Sequence, residues 1–187
     1  MTRIPPLQPA EMNDDQRAVH AAIVAGPRGQ VRGPLAVWLH RPGLAATAQA
    51  LGQYCRYDSS LPQRLSELAI LVMGQFWRAE FEWWAHKPIA LKAGVDEAVV
   101  EALRTGAEPA FSREDEATVY AVVRSLNEAH RIPAPLYDRA IAVLGNDAVI
   151  DLVGLAGYYT LISMTVNAFE VMPPDGEPLA FDTTPAR

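Results

Sequence analysis

The chain has 187 residues, half of them hydrophobic, a formal net charge of −6 at pH 7 and a single cysteine, Cys55. This length and composition indicate one soluble domain that can bury a core, and an acidic balance without a dense Lys/Arg cluster argues against a nucleic-acid partner. One cysteine permits no intrachain disulfide, no CxxC redox pair and no cysteine zinc cluster, which predicts a reducing, cytoplasmic location.

Proline and glycine divide the chain into helical segments. First-turn prolines and glycines just after the last turn are typical helix boundaries. Pro88 lies inside one of these segments and either bends that helix or starts a new one. Asn13 or Asp14 is the predicted cap of the first helix, and Ser112 with Asp115 resembles a capping box. The predicted helices are approximately 13–25, 42–54, 62–74, 78–93, 96–105, 112–130, 135–145 and 146–171.

The last predicted helix, capped by Asn146, contains the longest apolar stretch of the chain. Asp151 and several glycine and hydroxyl residues interrupt this stretch between Val149 and Met172. We therefore expect a buried core helix rather than a membrane span. Residues 1–17 carry no apolar segment of the kind found in a signal peptide.

Prolines predict an irregular tail after this helix. Pro173, Pro174 and Pro178 are incompatible with a continuing helix, so residues 172–187 are expected to be irregular. Nowhere does the chain alternate apolar and polar residues in the way that a half-buried strand does. The sequence thus predicts a single all-α domain.

Two acids and a histidine lie among almost wholly apolar neighbours between positions 67 and 86. Glu82 and His86 are four residues apart, so a helix places them on one face. A carboxylate beside an imidazole orients the ring and raises its basicity, which suits proton transfer. Spacing alone favours a simpler interpretation, an ion pair on a solvated face, and Glu67 taken singly is equally an exposed position of its own helix.

Other polar residues are weaker candidates. Arg64 and Arg78 are among the cations closest in sequence to the acids, so they are candidates for binding a substrate carboxylate. Trp83 and Asn167 are candidates for lining a pocket, although packing and solvated pairing are commoner roles. The three other histidines are assigned to surface, loop and helix-end positions: His20, His40 and His130.

Residues 61–95, LPQRLSELAILVMGQFWRAEFEWWAHKPIALKAGV, resemble the carboxymuconolactone decarboxylase family, which includes the AhpD-like alkyl hydroperoxidases. The resemblance spans roughly 35–106, and YYTLISMTVNAFEV near the end of the chain also looks similar. In the peroxidase branch a glutamate precedes a CxxC pair and a histidine. Here Glu67 and His86 take the outer positions, while Ala79 and Glu82 stand at the cysteine positions. The dithiol reaction is therefore excluded.

The decarboxylase branch lacks the thiol pair and carries Glu-x-x-x-His, which Glu82 and His86 match. The resemblance implies an AhpD-like helical bundle with its core at about 35–171, a homo-oligomer, often a trimer or hexamer, and a cofactor-independent reaction on a small lactone-type metabolite. His86 would supply a proton or stabilise charge, Glu82 would orient its ring, and Glu67 would be a second acid. No metal, membrane or nucleic-acid partner is implied.

Three alternatives remain open at the level of sequence. One is a degenerate family member that acts as an oligomeric binding or scaffold protein without catalysis. Another is a peroxide-related antioxidant protein that works without thiols. The third is a divalent metal held by Glu67, Glu82 and His86, although their spacing differs from that of helical di-iron bundles and no second ligand set is present.

Overall fold

The computed structural model describes residues 2–181, and in that range it is an all-α bundle without β-strands. A short 3₁₀ turn, Pro9–Glu11, precedes the first helix, and a π-helical turn, Tyr54–Asp58, follows the third. The helices of the described chain are α1 (Asp14–Ala25), α2 (Pro34–Trp38), α3 (Pro42–Gln53), α4 (Gln63–Phe76), α5 (Glu80–Lys92), α6 (Glu97–Thr105), α7 (Glu114–Ala129), α8 (Ala134–Leu144) and α9 (Asn146–Ala168). The predicted all-α fold is confirmed.

Several helix ends follow the predicted chemistry. Asn13 caps α1 through a capping box with Gln16, so each side chain accepts from the other residue's backbone N–H. Gly106 ends α6 in the left-handed conformation, with φ of 74°. Pro88 is accommodated inside an unbroken α5, so it does not start a new helix.

Other boundaries differ from prediction. The cap of α7 is Arg113 rather than Ser112, and the Asp115 carboxylate accepts the N–H of Glu116 instead. The cap of α9 is Gly145, one residue before Asn146. The short helix α2 was not expected, because its single buried turn of five residues is too brief to show helical periodicity.

Helix α4 occupies the centre of the bundle. Every residue from Leu65 to Gly74 is buried, and α5, α7 and α9 pack against it. A helix enclosed in this way has no solvated face, so any charged residue in its middle must find partners inside the protein. Glu67 is such a residue, because it lies in the buried part of α4.

Helix α9 is long and apolar enough by length and composition to cross a membrane, and it alone has this property within residues 2–181. Most of that stretch is buried inside the bundle, where it packs on α4. Core helices of soluble proteins pass the same test, which agrees with the expectation of a buried helix.

The chain after α9 is irregular but docked. The Glu80 carboxylate accepts the backbone N–H groups of Ala180 and Phe181 at 2.7 and 3.0 Å. The Phe181 ring packs edge-on against Trp83, with 5.1 Å between ring centroids. These contacts hold the segment against the start of α5. Residues 182–187 of the predicted tail lie outside the described residues.

Candidate active site

Three helices bring the acids and the histidine together in the interior. Helix α4 supplies Glu67, α5 supplies Glu82 and His86, and α9 supplies Tyr159. The Nδ1 atom of His86 lies 2.6 Å from Oε2 of Glu67. Its Nε2 atom lies 3.2 Å from the Tyr159 hydroxyl and 3.6 Å from Oε2 of Glu82. The imidazole is therefore held at both nitrogens.

This arrangement changes the roles expected for the two acids. Glu67 rather than Glu82 is the carboxylate that makes the short bond to the ring and fixes its orientation. The solvated ion pair that spacing favoured is wrong, since Glu82 and His86 are each only 4% exposed. An exposed Glu67 is likewise wrong, because it is 3% exposed. The i,i+4 pair lies in the core because α5 is covered by α4 and α9.

Burial governs the protonation of the polar groups at the site. Desolvation raises the pKa of Glu82, although His86 and nearby arginines lower it in part. Burial also raises the pKa of Tyr159 well above its usual value and that of Tyr158 to about 12. Both phenols thus keep their protons at neutral pH, and Glu82 holds a proton more readily than an exposed glutamate does.

A cavity of about 210 Å³ reaches this cluster from the surface. Glu82, His86 and the two tyrosines form part of its wall. Apolar side chains complete the lining: Leu35, Phe81, Ala85, Ile89 and Ile162. A pocket of this kind suits a small molecule with an apolar body and a few polar groups.

Three arginines also line the cavity. Arg28 and Arg32 come from the loop between α1 and α2, and Arg56 comes from the π-helical turn. The guanidinium of Arg56 lies 3.9 Å from Oε1 of Glu67, and that of Arg28 lies 3.4 Å from the Tyr158 hydroxyl. No acceptor contacts the buried Nε of Arg28 or Arg56 within residues 2–181. The cavity wall therefore carries positive charge beside the buried acids and histidine.

The two arginines predicted to bind substrate lie elsewhere. Arg64 forms ion pairs with Asp115 and Glu116 of α7. Arg78 donates to the backbone carbonyl of Phe181 and lies over its ring. Neither residue lines this cavity, so the structure does not bring them to the acids and the histidine. Each is already paired with a neighbouring segment.

Trp83 and Asn167 are also placed outside the cavity. Trp83 is a core residue that packs on Phe181, and it does not line the cavity. Asn167 donates to the backbone carbonyl of Trp77 at 2.8 Å and links the end of α9 to the loop after α4. The structure therefore does not bring Trp83 and Asn167 to the cavity that contains His86.

The sequence did not single out the arginines and tyrosines of the cavity. The arginines lie 26 or more positions from Glu82 because the cavity wall includes a loop and a turn rather than neighbours in sequence. One signal was present: Arg28 and Arg32 both lie in a Gly-rich loop next to Pro34, and loops carry binding residues more often than core helices do.

Comparison with known proteins relates the segment that contains this site to a protein family. Residues 42–124 match the model of the carboxymuconolactone decarboxylase family, and this segment includes Glu67, Glu82 and His86. The predicted resemblance to this family is thus confirmed over these 83 residues of the chain. Among curated proteins, none matches the sequence.

Two crystal structures show the same fold. One is described as alkylhydroperoxidase AhpD core, an uncharacterized peroxidase-related protein from Ralstonia eutropha JMP134; it shares 14% identity, and each chain is covered to 93%, with a TM-score of 0.75. The other is an uncharacterized peroxidase-related protein from Silicibacter sp. TM1040, with 14% identity, a TM-score of 0.73, and coverage of 93% of this chain and 92% of the other. At this identity the likeness establishes the fold alone.

The site contains no dithiol, because Cys55 is the single cysteine of the sequence. The resemblance described above places Ala79 and Glu82 at the two positions where the peroxidase branch carries cysteines. Cys55 is buried, does not line the cavity, and has a pKa raised mainly by desolvation. A buried thiol with a raised pKa is a poor nucleophile.

The described part of the chain also offers no ready metal site. No group of three or more His, Cys, Asp or Glu side chains there has a geometry that could hold a metal ion. Glu67 and Glu82 contact opposite nitrogens of the imidazole, so the ring lies between the two carboxylates. Their arrangement suits proton transfer better than metal ligation.

Proposed function

We propose that the protein is a cofactor-independent acid/base enzyme that decarboxylates a small unsaturated lactone carrying a carboxylate. One observation carries this proposal: the His86 imidazole is held between Glu67 and Tyr159, with Glu82 beside it, in the wall of an arginine-lined cavity. The match of residues 42–124 to the family model supports the reaction class.

The reaction needs an electron sink and a proton. The bond between the substrate's carbon and its carboxylate breaks, carbon dioxide leaves, and the electron pair passes into the conjugated lactone carbonyl. The resulting dienolate takes a proton at carbon from Nε2 of His86. Overall, one carboxylate and one proton give carbon dioxide and a C–H bond, so no oxidant or reductant is consumed.

Each acid has a distinct part in this scheme. Glu67 accepts the Nδ1–H of His86 and stabilises the imidazolium that delivers the proton. Glu82, whose pKa burial raises, returns a proton to Nε2 across 3.6 Å. The Tyr159 hydroxyl lies at the same nitrogen, so it can hold the ring in place between turnovers.

The cavity charge supports an anionic substrate. With Glu82 protonated, Arg28, Arg32 and Arg56 exceed the single carboxylate of Glu67 by two positive charges in and around the pocket. The guanidinium groups of the three arginines are donors of the kind that bind a carboxylate. Two carboxylates at the site thus do not exclude a substrate that is itself negatively charged.

A substrate screen tests the proposal directly. Unsaturated lactones with carboxylate substituents and β-keto acids are incubated with the wild type and with His86→Ala, and carbon dioxide release is measured. General acid catalysis is typically worth about 10²–10⁴-fold in rate, so the variant should lose at least about 100-fold in kcat. His20→Ala, in the exposed first helix, is the matched control and should keep full activity.

Folding must be separated from catalysis because His86→Ala leaves Glu67 buried without its ring partner. Circular dichroism and thermal unfolding check that variant, and His86→Asn provides a second one that keeps a polar group at the position. Equal turnover in folded variants and wild type would contradict the role of His86. If no substrate is turned over and NMR shows that the ring of His86 titrates without response to lactones, the non-catalytic binding or scaffold protein is favoured.

A further inference from the structure

A hydrogen-bonded clasp joins α9 to both ends of the π-helical turn. The buried carboxylate of Asp151 accepts the Tyr54 hydroxyl at 2.7 Å through one oxygen. Its other oxygen accepts the backbone N–H and the hydroxyl of Ser60, each at 2.7 Å. Although burial raises the pKa of Asp151, the bonds from Ser60 and Tyr54 lower it overall, which keeps the carboxylate charged at neutral pH.

The segment between these two anchors carries a cation to the proposed active site. Tyr54 starts the turn and Ser60 follows its end, so residues 55–59 are pinned on both sides. Arg56 leaves the turn toward Glu67, with 3.9 Å between Nη2 and Oε1, and lies over the ring of Tyr57. π-Helical turns are rare and are frequent at functional sites.

We infer that Asp151 is a positioning residue, which acts on the acid and histidine cluster by holding the turn that presents Arg56 to the cavity. Asp151 itself does not line the cavity, so it touches neither His86 nor a bound molecule. The consequence for catalysis rests on the proposed function. The position of Arg56 and its effect on the pKa of Glu82 can be tested whether or not the protein catalyses the proposed reaction.

The pKa of Glu82 can report the position of Arg56 because Arg56 is one of a few charged groups that act on Glu82. Charged and titratable side chains face it from every element packed around it: His86 on α5, Glu67 on α4, Tyr158 and Tyr159 on α9, Arg56 on the turn, and Arg28 and Arg32 on the loop. The positive charge of Arg56 lowers the pKa of Glu82. Moving that charge away should therefore make Glu82 hold its proton to higher pH.

The experiment follows the glutamate Cδ resonances of ¹³C-labelled protein across pH, with Glu82→Gln used to assign the signal of Glu82. In Asp151→Asn we expect the titration midpoint of Glu82 to rise by about half a pH unit, the order of effect of moving one charge by several ångströms. Removal of the negative charge of Asp151 would by itself lower the titration midpoint of Glu82, because a nearby negative charge favours the protonated acid. A rise therefore identifies loss of positioning rather than a direct electrostatic effect.

A second background makes the test specific to Arg56. Arg56→Gln should raise the midpoint, and adding Asp151→Asn to that variant should produce no further rise, because the two changes act through one side chain. An unchanged or lower midpoint in folded Asp151→Asn overturns the inference, as does a rise that persists with Arg56→Gln. If Asp151→Asn does not fold, Tyr54→Phe with Ser60→Ala removes two of the three bonds and should give a smaller rise. No substrate is needed, so failure here is separate from failure of the proposed reaction.

Discussion

At the scale of single residues, Glu82 is the clearest case of a side chain that suits proton transfer but lowers the stability of the fold. It is buried, and desolvation raises its pKa, so its charged form opposes folding. Because the pKa is higher in the folded state, the favourable contribution is present below the ordinary value of about 4.5 and is lost as pH rises through the folded value. A residue kept in such an environment suits a proton donor.

Glu82→Gln should therefore stabilise the protein at neutral pH. Glutamine resembles the protonated acid at every pH, so the gain in free energy of unfolding should be on the order of 1 kcal/mol at pH 7.5 and should shrink toward zero near pH 4.5. Urea unfolding of both proteins at several pH values measures this gain in the free energy of unfolding. Glu101→Gln removes an exposed acid paired with Arg104 and should leave the free energy of unfolding nearly unchanged. A pH-independent effect of Glu82→Gln would contradict this account.

Cys55 provides a second prediction at this scale. Its thiol is buried, and burial raises its pKa, so little thiolate forms at neutral pH. Peroxide reduction by this protein, if any is measured, should be unchanged within about twofold in Cys55→Ser. Activity that disappears in a folded Cys55→Ser protein would restore the thiol reaction that the absent CxxC pair excludes.

The sequence predicted the two acids and the histidine of the cluster better than it predicted the cavity residues around them. Glu67, Glu82 and His86 do converge, because helical spacing and the position of their helices determine that contact. The cations were misassigned because nearness in sequence was used as a guide: Arg64 pairs with α7, whereas Arg56 reaches the cavity from a turn. No local pattern in the amino-acid sequence predicts which loop will lie over a pocket.

At the scale of secondary-structure elements, a close contact between α3 and α9 shapes the cavity wall. Gly52 of α3 faces Tyr158 of α9 and the end of Arg28, and a Cβ atom added at Gly52 would overlap both. Tyr158 is buried and cannot move freely. Glycine at this position therefore allows the two helices to approach and leaves room for two cavity residues.

Gly52→Ala should destabilise the protein and disturb the pocket. Overpacking of a tight contact typically costs about 1–3 kcal/mol, which corresponds to a fall in Tm of several degrees for a domain of this size. Thermal unfolding measures it. Gly43→Ala in the same helix is the matched control, because a Cβ there meets nothing within 4 Å and helix propensity favours alanine. Equal Tm values in the two variants would show that the contact is loose.

Long elements were easier to predict than short ones. The eight predicted helices exist because proline, glycine and caps mark their ends, whereas α2 and the turn at 54–58 contain only five residues each. The boundaries at Arg113 and Gly145 differed from prediction because neither cap uses a side-chain hydrogen bond. Such ends depend on tertiary contacts, which a single sequence does not display.

At the scale of the whole molecule, one surface of the bundle remains apolar. Large hydrophobic side chains are exposed along one side of α9, with Ile150 at 70% and Met164 at 50% exposed. The positions recur at helical spacing on a single stripe: Ile150, Val153, Gly154, Gly157, Leu161 and Met164. A stripe of this kind on a core helix is typical of a subunit contact.

The stripe supports the homo-oligomer that the family resemblance implies, and charge introduced on α9 tests it. Size-exclusion chromatography with light scattering should give the wild type a mass of three or six chains, whereas Val153→Lys with Met164→Lys should give a single chain, since two buried ammonium groups per protomer oppose association. Tyr137→Lys alters an equally exposed apolar residue on α8 and should leave the assembly intact. Both lysines replace exposed side chains, so the monomer should keep its helical circular dichroism. A monomeric wild type, or a double variant with the wild-type mass, would show that α9 faces solvent and that its apolar stripe serves another purpose.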